Sequence, residues 1–145
     1  MRPPRSLVIT GFILSFAMTG CGSTQDDPVD TAFEALTAVV ALDGSSICKL
    51  SLEASGPDAS DDKKQECLDD VADQRKRVDE LSKKERKERK EMIDEVMENL
   101  DRDSFTADTD GDKSTVTYKV TLPDGETEED TIDLEKHDGK WYFTE

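Results

Sequence analysis

Three cysteines, Cys21, Cys48 and Cys67, and a single histidine, His137, are the side chains best suited to nucleophilic, redox or proton-transfer chemistry near neutral pH. Their spacing argues against most of that chemistry. Two cysteines and one distant histidine do not make a zinc ligand set, and the Cys-x-x-Cys arrangement of a redox pair is absent. His137 stands directly before Asp138-Gly139, a turn signal. A general base needs an orienting partner and a pocket. A hairpin tip is expected to supply neither, so no catalytic residue is assigned. The run DTDGDKST, starting at Asp108, spaces its acids like a calcium loop. Lys113 stands where that loop needs glycine, however, and Lys119 where it needs the closing glutamate. The run reads as a β-hairpin instead, with no metal and no other cofactor expected. The sequence holds no glycine-rich phosphate loop, nucleophile elbow or internal repeat.

Three is an odd number, so at least one cysteine lies outside any internal disulfide. Cys21 closes the stretch MRPPRSLVITGFILSFAMTGC, in which Arg2 and Arg5 precede an apolar run from Leu7 to Met18 and then small residues. The run is about twelve residues where roughly 20 are needed to cross a bilayer core, so it suits an export signal rather than a membrane span. Met18-Thr19-Gly20-Cys21 resembles the lipobox of bacterial lipoproteins, although Met18 replaces the usual leucine. That resemblance implies cleavage between Gly20 and Cys21, a diacylglyceryl group on the Cys21 thiol, and a further acyl chain such as palmitate on its amino group. It places the protein outside the cytoplasm, lipid-anchored to the cell membrane or, since no aspartate follows Cys21, to an outer membrane. Two or three acyl chains hold stably where one is marginal, at about 0.8 kcal/mol per buried methylene. The alternative is an ordinary secretory signal with a cysteine beside its cleavage site by chance.

An extracytoplasmic setting lets disulfides persist, and removing Cys21 from the count leaves an even pair. Cys48 and Cys67 enclose KLSLEASGPDASDDKKQE, a segment with a Gly-Pro break and little apolar material. A disulfide there is expected to act as a staple; free buried thiols are the competing reading.

The elements that position these residues follow from hydrophobic period. Asp27-Pro28 predicts an N-cap and first helical position. Val29, Phe33, Leu36 and Val40 then recur at helical spacing up to the stop at Asp43-Gly44. A second helix is expected from Ser46 to about Glu53, broken by Gly56-Pro57. A third starts near Ser60 with Cys67, Val71, Val78 and Leu81 on one stripe. Ser82 is placed to cap a further helix whose apolar face is Met92, Ile93, Val96, Met97 and Leu100. Its first half, Lys83 to Lys90, has six basic residues in eight. It reads as a solvated face laced with i,i+4 charge pairs, or as a basic patch for envelope anions.

Beyond Phe105 the period becomes two. Val116, Tyr118, Val120 and Leu122 alternate with Thr115, Thr117, Lys119 and Thr121, the signature of a half-buried strand. Asp110-Gly111, Asp124-Gly125 and Asp138-Gly139 are hairpin signals at even spacing. They predict four antiparallel strands near 103–109, 114–122, 126–135 and 140–144. An α+β fold follows: N-terminal helices packed on a C-terminal four-stranded antiparallel curved meander. Phe105, Ile132, Leu134, Trp141 and Phe143 are its expected contribution to the core. The domain plan is a signal peptide at 1–20, lipidated Cys21 with a short tether to residue 27, and one α+β domain over 28–145.

The segment GDKSTVTYKVTLPDGETEEDTIDLEKHDGKWYF resembles the C-terminal half of a bacterial lipoprotein family of unknown function in the nuclear-transport-factor-2-like, cone-shaped α+β superfamily. VDTAFEALTAVVALDGSSICKL is similar to that superfamily's opening helix pair. The resemblance implies a fold, not an activity, because the superfamily hosts enzymes, binding modules and dimerising domains. Charge narrows the partners. The whole chain carries a formal net charge of −16, and loss of residues 1–20 leaves 17 basic residues against 35 acids. Nucleic acid is excluded as a partner on that balance. The expectation is a non-enzymatic module binding an unknown protein or small ligand, with homodimerisation through the open sheet face suggested by the superfamily. The alternatives are a cone-fold isomerase or hydrolase, or an envelope contact protein using the Lys83–Lys90 face.

Overall fold

A computed structural model describes residues 24–144. Cys21 and the proposed cleavage site after Gly20 lie outside the described residues. The helices are α1 (Pro28–Ala41), α2 (Gly44–Leu50), α3 (Leu52–Ser55), α4 (Asp61–Asp79) and α5 (Lys83–Asn99), with short 3-10 turns at Thr24–Asp26 and Arg102–Ser104. The strands β1 (Thr106–Asp110), β2 (Lys113–Thr121), β3 (Thr127–His137) and β4 (Lys140–Phe143) form one antiparallel meander in sequence order. The expected α+β architecture, helices first and sheet last, is the one observed.

Local chemistry sets the helix boundaries. The Asp27 carboxylate accepts from the backbone N–H groups of Val29 and Asp30, and Pro28 fills the first helical position. Leu42 ends α1 in the left-handed region at φ 51°, donating its N–H to the Ala38 and Val39 carbonyls. Ser60 caps α4, and Ser82 caps α5 in a reciprocal capping box with Glu85. That box holds the Glu85 carboxyl below its usual range, chiefly through the Ser82 hydrogen bonds.

Two expectations fail here. The single helix from Ser46 to Glu53 is interrupted at Ser51, which is extended at ψ 130° and closes α2 while capping α3. Its backbone forms a lone parallel bridge with Phe143, and Leu50 beside it is fully buried. Tertiary pairing with the last strand overrides the helical pattern, and a serine cap makes the interruption cheap. The second departure is in α1. Its most buried positions are Thr31, Ala32, Ala35 and Ala38, whereas Val29, Phe33 and Leu36 flank them half-buried. Small residues let the helix axis lie close to the sheet, and the larger ones wrap around the contact.

The main core lies between α1 and the inner sheet face. It comprises Ala32, Phe105, Val116, Tyr118, Leu134 and Trp141, with Ile132 and Phe143 at its margin. Phe105 stacks on Tyr118 at 5.1 Å between centroids and meets Phe33 edge-on at 5.4 Å. Each large side chain so buried contributes roughly 1.5–3 kcal/mol. A smaller cluster of Cys48, Ala54 and Val71 joins α2, α3 and α4. Cys48 and Cys67 are disulfide-bonded across it, with 5.9 Å between their Cα atoms.

All three hairpin turns form. Asp138 and Gly139, at φ 51° and 80°, make the two-residue β3–β4 turn. At the first hairpin Asp110 pairs with Lys113, so the central residues are Gly111 and Asp112, one position later than the Asp-Gly signal marks. Between β2 and β3, Pro123, Asp124 and Gly125 turn the chain, with Leu122 and Glu126 bonded across them.

Candidate functional site

The strand period assigns the two faces of the sheet different chemistry. The inner face is apolar at its centre, where it packs on α1. The outer face presents Thr115, Asp133, Asp108 and Thr144 in one row and Asp110, Lys113 and Glu135 in the next. These rows line an open groove of about 450 Å³, in which Thr115 Oγ1 donates to Asp133 at 2.7 Å. The run from Asp108 is thus a hairpin, as expected. Among the described residues no His, Cys, Asp or Glu group is arranged to hold a metal ion.

His137 sits at the end of β3, where the sequence places it, but it is not isolated. Its Nε2 lies 2.8 Å from Glu135 Oε1, two residues back on the same face. The expectation that a hairpin tip offers no partner is corrected on this point. The i,i+2 spacing of Glu135 and His137 along a strand is the signal that could have revealed the pair. Glu135 also lines the outer groove; His137 does not.

A second groove, of about 370 Å³, opens where the helix layer stops short of the sheet edge. β3 is eleven residues long and β4 only four, so β4 leaves the Thr127–Ile132 part of β3 uncovered on that side. Ala35, Leu36 and Val39 of α1 face Ile132, Tyr118 and Phe143 across the opening. Val39 is 48% exposed, one of two large apolar side chains so exposed among the described residues. The strand edge beside it is guarded: Asp130 accepts from the Thr131 N–H, and Glu128, Glu129 and Asp130 are all exposed. Tyr118 reaches Asp130 with its hydroxyl at 3.4 Å. Burial, then the charge of Asp130, pushes the phenol above its ordinary value.

The Lys83–Lys90 segment forms the first half of α5. Lys84, Lys87 and Lys90 pair with Glu88, Glu91 and Asp94 at i,i+4 spacing on exposed surface. Much of the basic run is therefore a self-neutralised helix face. No residue of α5 is fully buried, and its expected apolar stripe is half-covered at Ile93, Val96 and Met97, while Met92 is 50% exposed.

At the start of the described chain, Gln25 is 2% exposed, and its amide donates to the Trp141 carbonyl at 3.0 Å. This polar residue of the expected tether is part of the folded domain. Arg102 Nε also donates to Asp30 at 2.7 Å, tying the entry of the sheet to the start of α1. No helix among the described residues is long and apolar enough to cross a membrane.

Comparison with known proteins gives no match: no protein-family model fits the chain, and no curated protein or solved structure matches it significantly.

Proposed function

We propose that this chain is a lipid-anchored extracytoplasmic bacterial lipoprotein whose domain is a non-enzymatic interaction module of the cone-shaped α+β type. The observation that carries the module reading is the packed centre of the space between helix and sheet. Phe105, Val116, Tyr118, Leu134 and Trp141 occupy the volume where a cone-fold enzyme would keep an open pocket with a partnered acid. Recognition is then left to the surface, and the apolar groove beside Leu36, Val39 and Ile132 is the part of it best suited to a protein or small ligand. The outer sheet face, with its threonines and carboxylates, suits an apolar homodimer contact less well.

The anchor reading rests on Met18-Thr19-Gly20-Cys21. Cys21 stands three residues before Thr24, so the lipid attachment lies within about 10 Å of the 3-10 turn packed on β4. A domain held that closely works at the membrane surface. Cys21→Ser should leave the domain folded and shift it from the membrane to the soluble fraction; an unchanged distribution would count against the anchor. A photo-crosslinking residue at Val39 should give a discrete adduct in cells that is lacking with the same residue at Thr117. Identical patterns at the two positions would remove the groove from consideration.

The alternative enzyme reading has one observation in its favour, the His137–Glu135 pair near the outer groove. That pair lies outside the cone, and the enzyme reading requires a turnover that His137→Ala abolishes.

A further inference from the structure

The charge of this protein is strongly segregated. Residues 75–90, the end of α4, the turn and the start of α5, hold nine basic residues and four acids, in a chain with 19 basic and 35 acidic residues. Of these nine, Lys76, Arg77, Lys83 and Arg86 are exposed, and two smaller sets stand out. Lys84, Lys87 and Lys90 are neutralised along α5. Arg75 and Arg89 form no salt bridge among the described residues, although Asp43 lies close enough to feel the charge of Arg75, and both line one cavity of about 350 Å³. Its other walls are Ala41, Leu42 and Val78, at the end of α1 and on α4, with Asp79 as its single acid. Arg89 is half-buried there and Arg75 is exposed.

A half-buried guanidinium without a carboxylate partner carries a desolvation cost that a bound anion would offset. Arginine suits that role better than lysine, because its planar fork gives two parallel hydrogen bonds to a phosphate or carboxylate. The apolar wall of Ala41, Leu42 and Val78 lowers the local dielectric and strengthens each contact made beside it. The acids of the sheet do not cancel this field, since at physiological salt charges are screened beyond about 8 Å.

We propose that the Arg75–Arg89 cavity is a binding site for a phosphate group, presented either as a free phosphate or as the headgroup of an anionic phospholipid. Phosphate is the chemistry to which both forks and the surrounding positive field are matched. The site does not depend on the anchor, because phosphate binding in solution needs no lipid on Cys21.

The test is an NMR titration of the purified full-length protein with inorganic phosphate, following the arginine Nε–Hε signals, with sodium chloride at matched ionic strength as control. Saturable shifts at Arg75 and Arg89, absent with chloride, are the expected result. Arg75→Gln, at an exposed position, should weaken binding roughly tenfold, as loss of one charge-assisted fork implies. Arg89→Lys, which keeps the charge and loses the fork, should weaken it similarly. Asp79→Asn should tighten it, an effect that a misfolded variant would not mimic. Flotation with phosphatidylglycerol vesicles, against phosphatidylcholine vesicles, then distinguishes the sources. Selective retention lost in Arg75→Gln identifies the headgroup; no retention alongside saturable phosphate binding identifies a soluble phosphate. Shifts no larger than those from chloride, or binding unchanged in both arginine variants, would overturn the proposal.

Discussion

Gln25 donates from a buried position to the Trp141 carbonyl, so alanine there removes the donor and leaves an acceptor unpaired beside the core. The expected cost is about 1–3 kcal/mol, read as a lower urea midpoint with an unchanged slope. Tyr118 makes a pH prediction. Its folded phenol titrates above its ordinary value of 10.0, mainly through burial and then through the charge of Asp130. As pH rises through the unfolded value, the unfolded chain loses this proton first, so the phenol's contribution to stability falls on the alkaline side. Tyr118→Phe should flatten that part of the pH–stability curve, measured by chemical denaturation between pH 8 and about 11. Tyr118 was legible in the sequence as a core residue because it alternates with Thr117 and Lys119. Gln25 was not. A single polar residue before the first cap belongs to no period, and its partner is 116 positions away.

At the scale of elements, the disulfide couples two helices whose shared cluster is small. Cys48 and Cys67 are 19 positions apart, and opening such a loop in the unfolded chain costs roughly 3 kcal/mol of stability in the chain-entropy model. Denaturation with and without reductant should show a loss of that order. The Cys48→Ala/Cys67→Ala variant should match the reduced protein, whereas equal stability in all three forms would remove the staple from the account. The caps at Asp27 and Ser82 and the three glycine turns were readable because each rests on chemistry within four residues. The break at Ser51 was not, because its cause is a bridge to Phe143, far away in sequence. The first hairpin shows the same limit on a smaller scale. Asp110-Gly111 announces a turn, but the pairing of Asp110 with Lys113 fixes its centre one residue later.

Along the sequence charge is segregated: a run rich in lysine and arginine over residues 75–90 is followed by the acidic strands of the sheet. The α+β order was legible because the hydrophobic period changes from helical to two near Phe105, and nothing between the helices and the meander disturbs it. The surface sites were less legible. The groove beside Val39 exists because β4 is shorter than β3, and the Arg75–Arg89 cavity exists because residues of α4, of α5 and of the end of α1 meet there. Neither a length mismatch nor a meeting of three helices is written in a local motif. Whether a lipid on Cys21 holds this domain at a membrane is decided by intact mass measurement of the protein extracted from the membrane fraction. The expected result is a chain beginning at Cys21 and carrying a diacylglyceryl group, with or without a third acyl chain. A membrane-extracted chain that retains residues 1–20, or begins elsewhere with an unmodified Cys21, would contradict it.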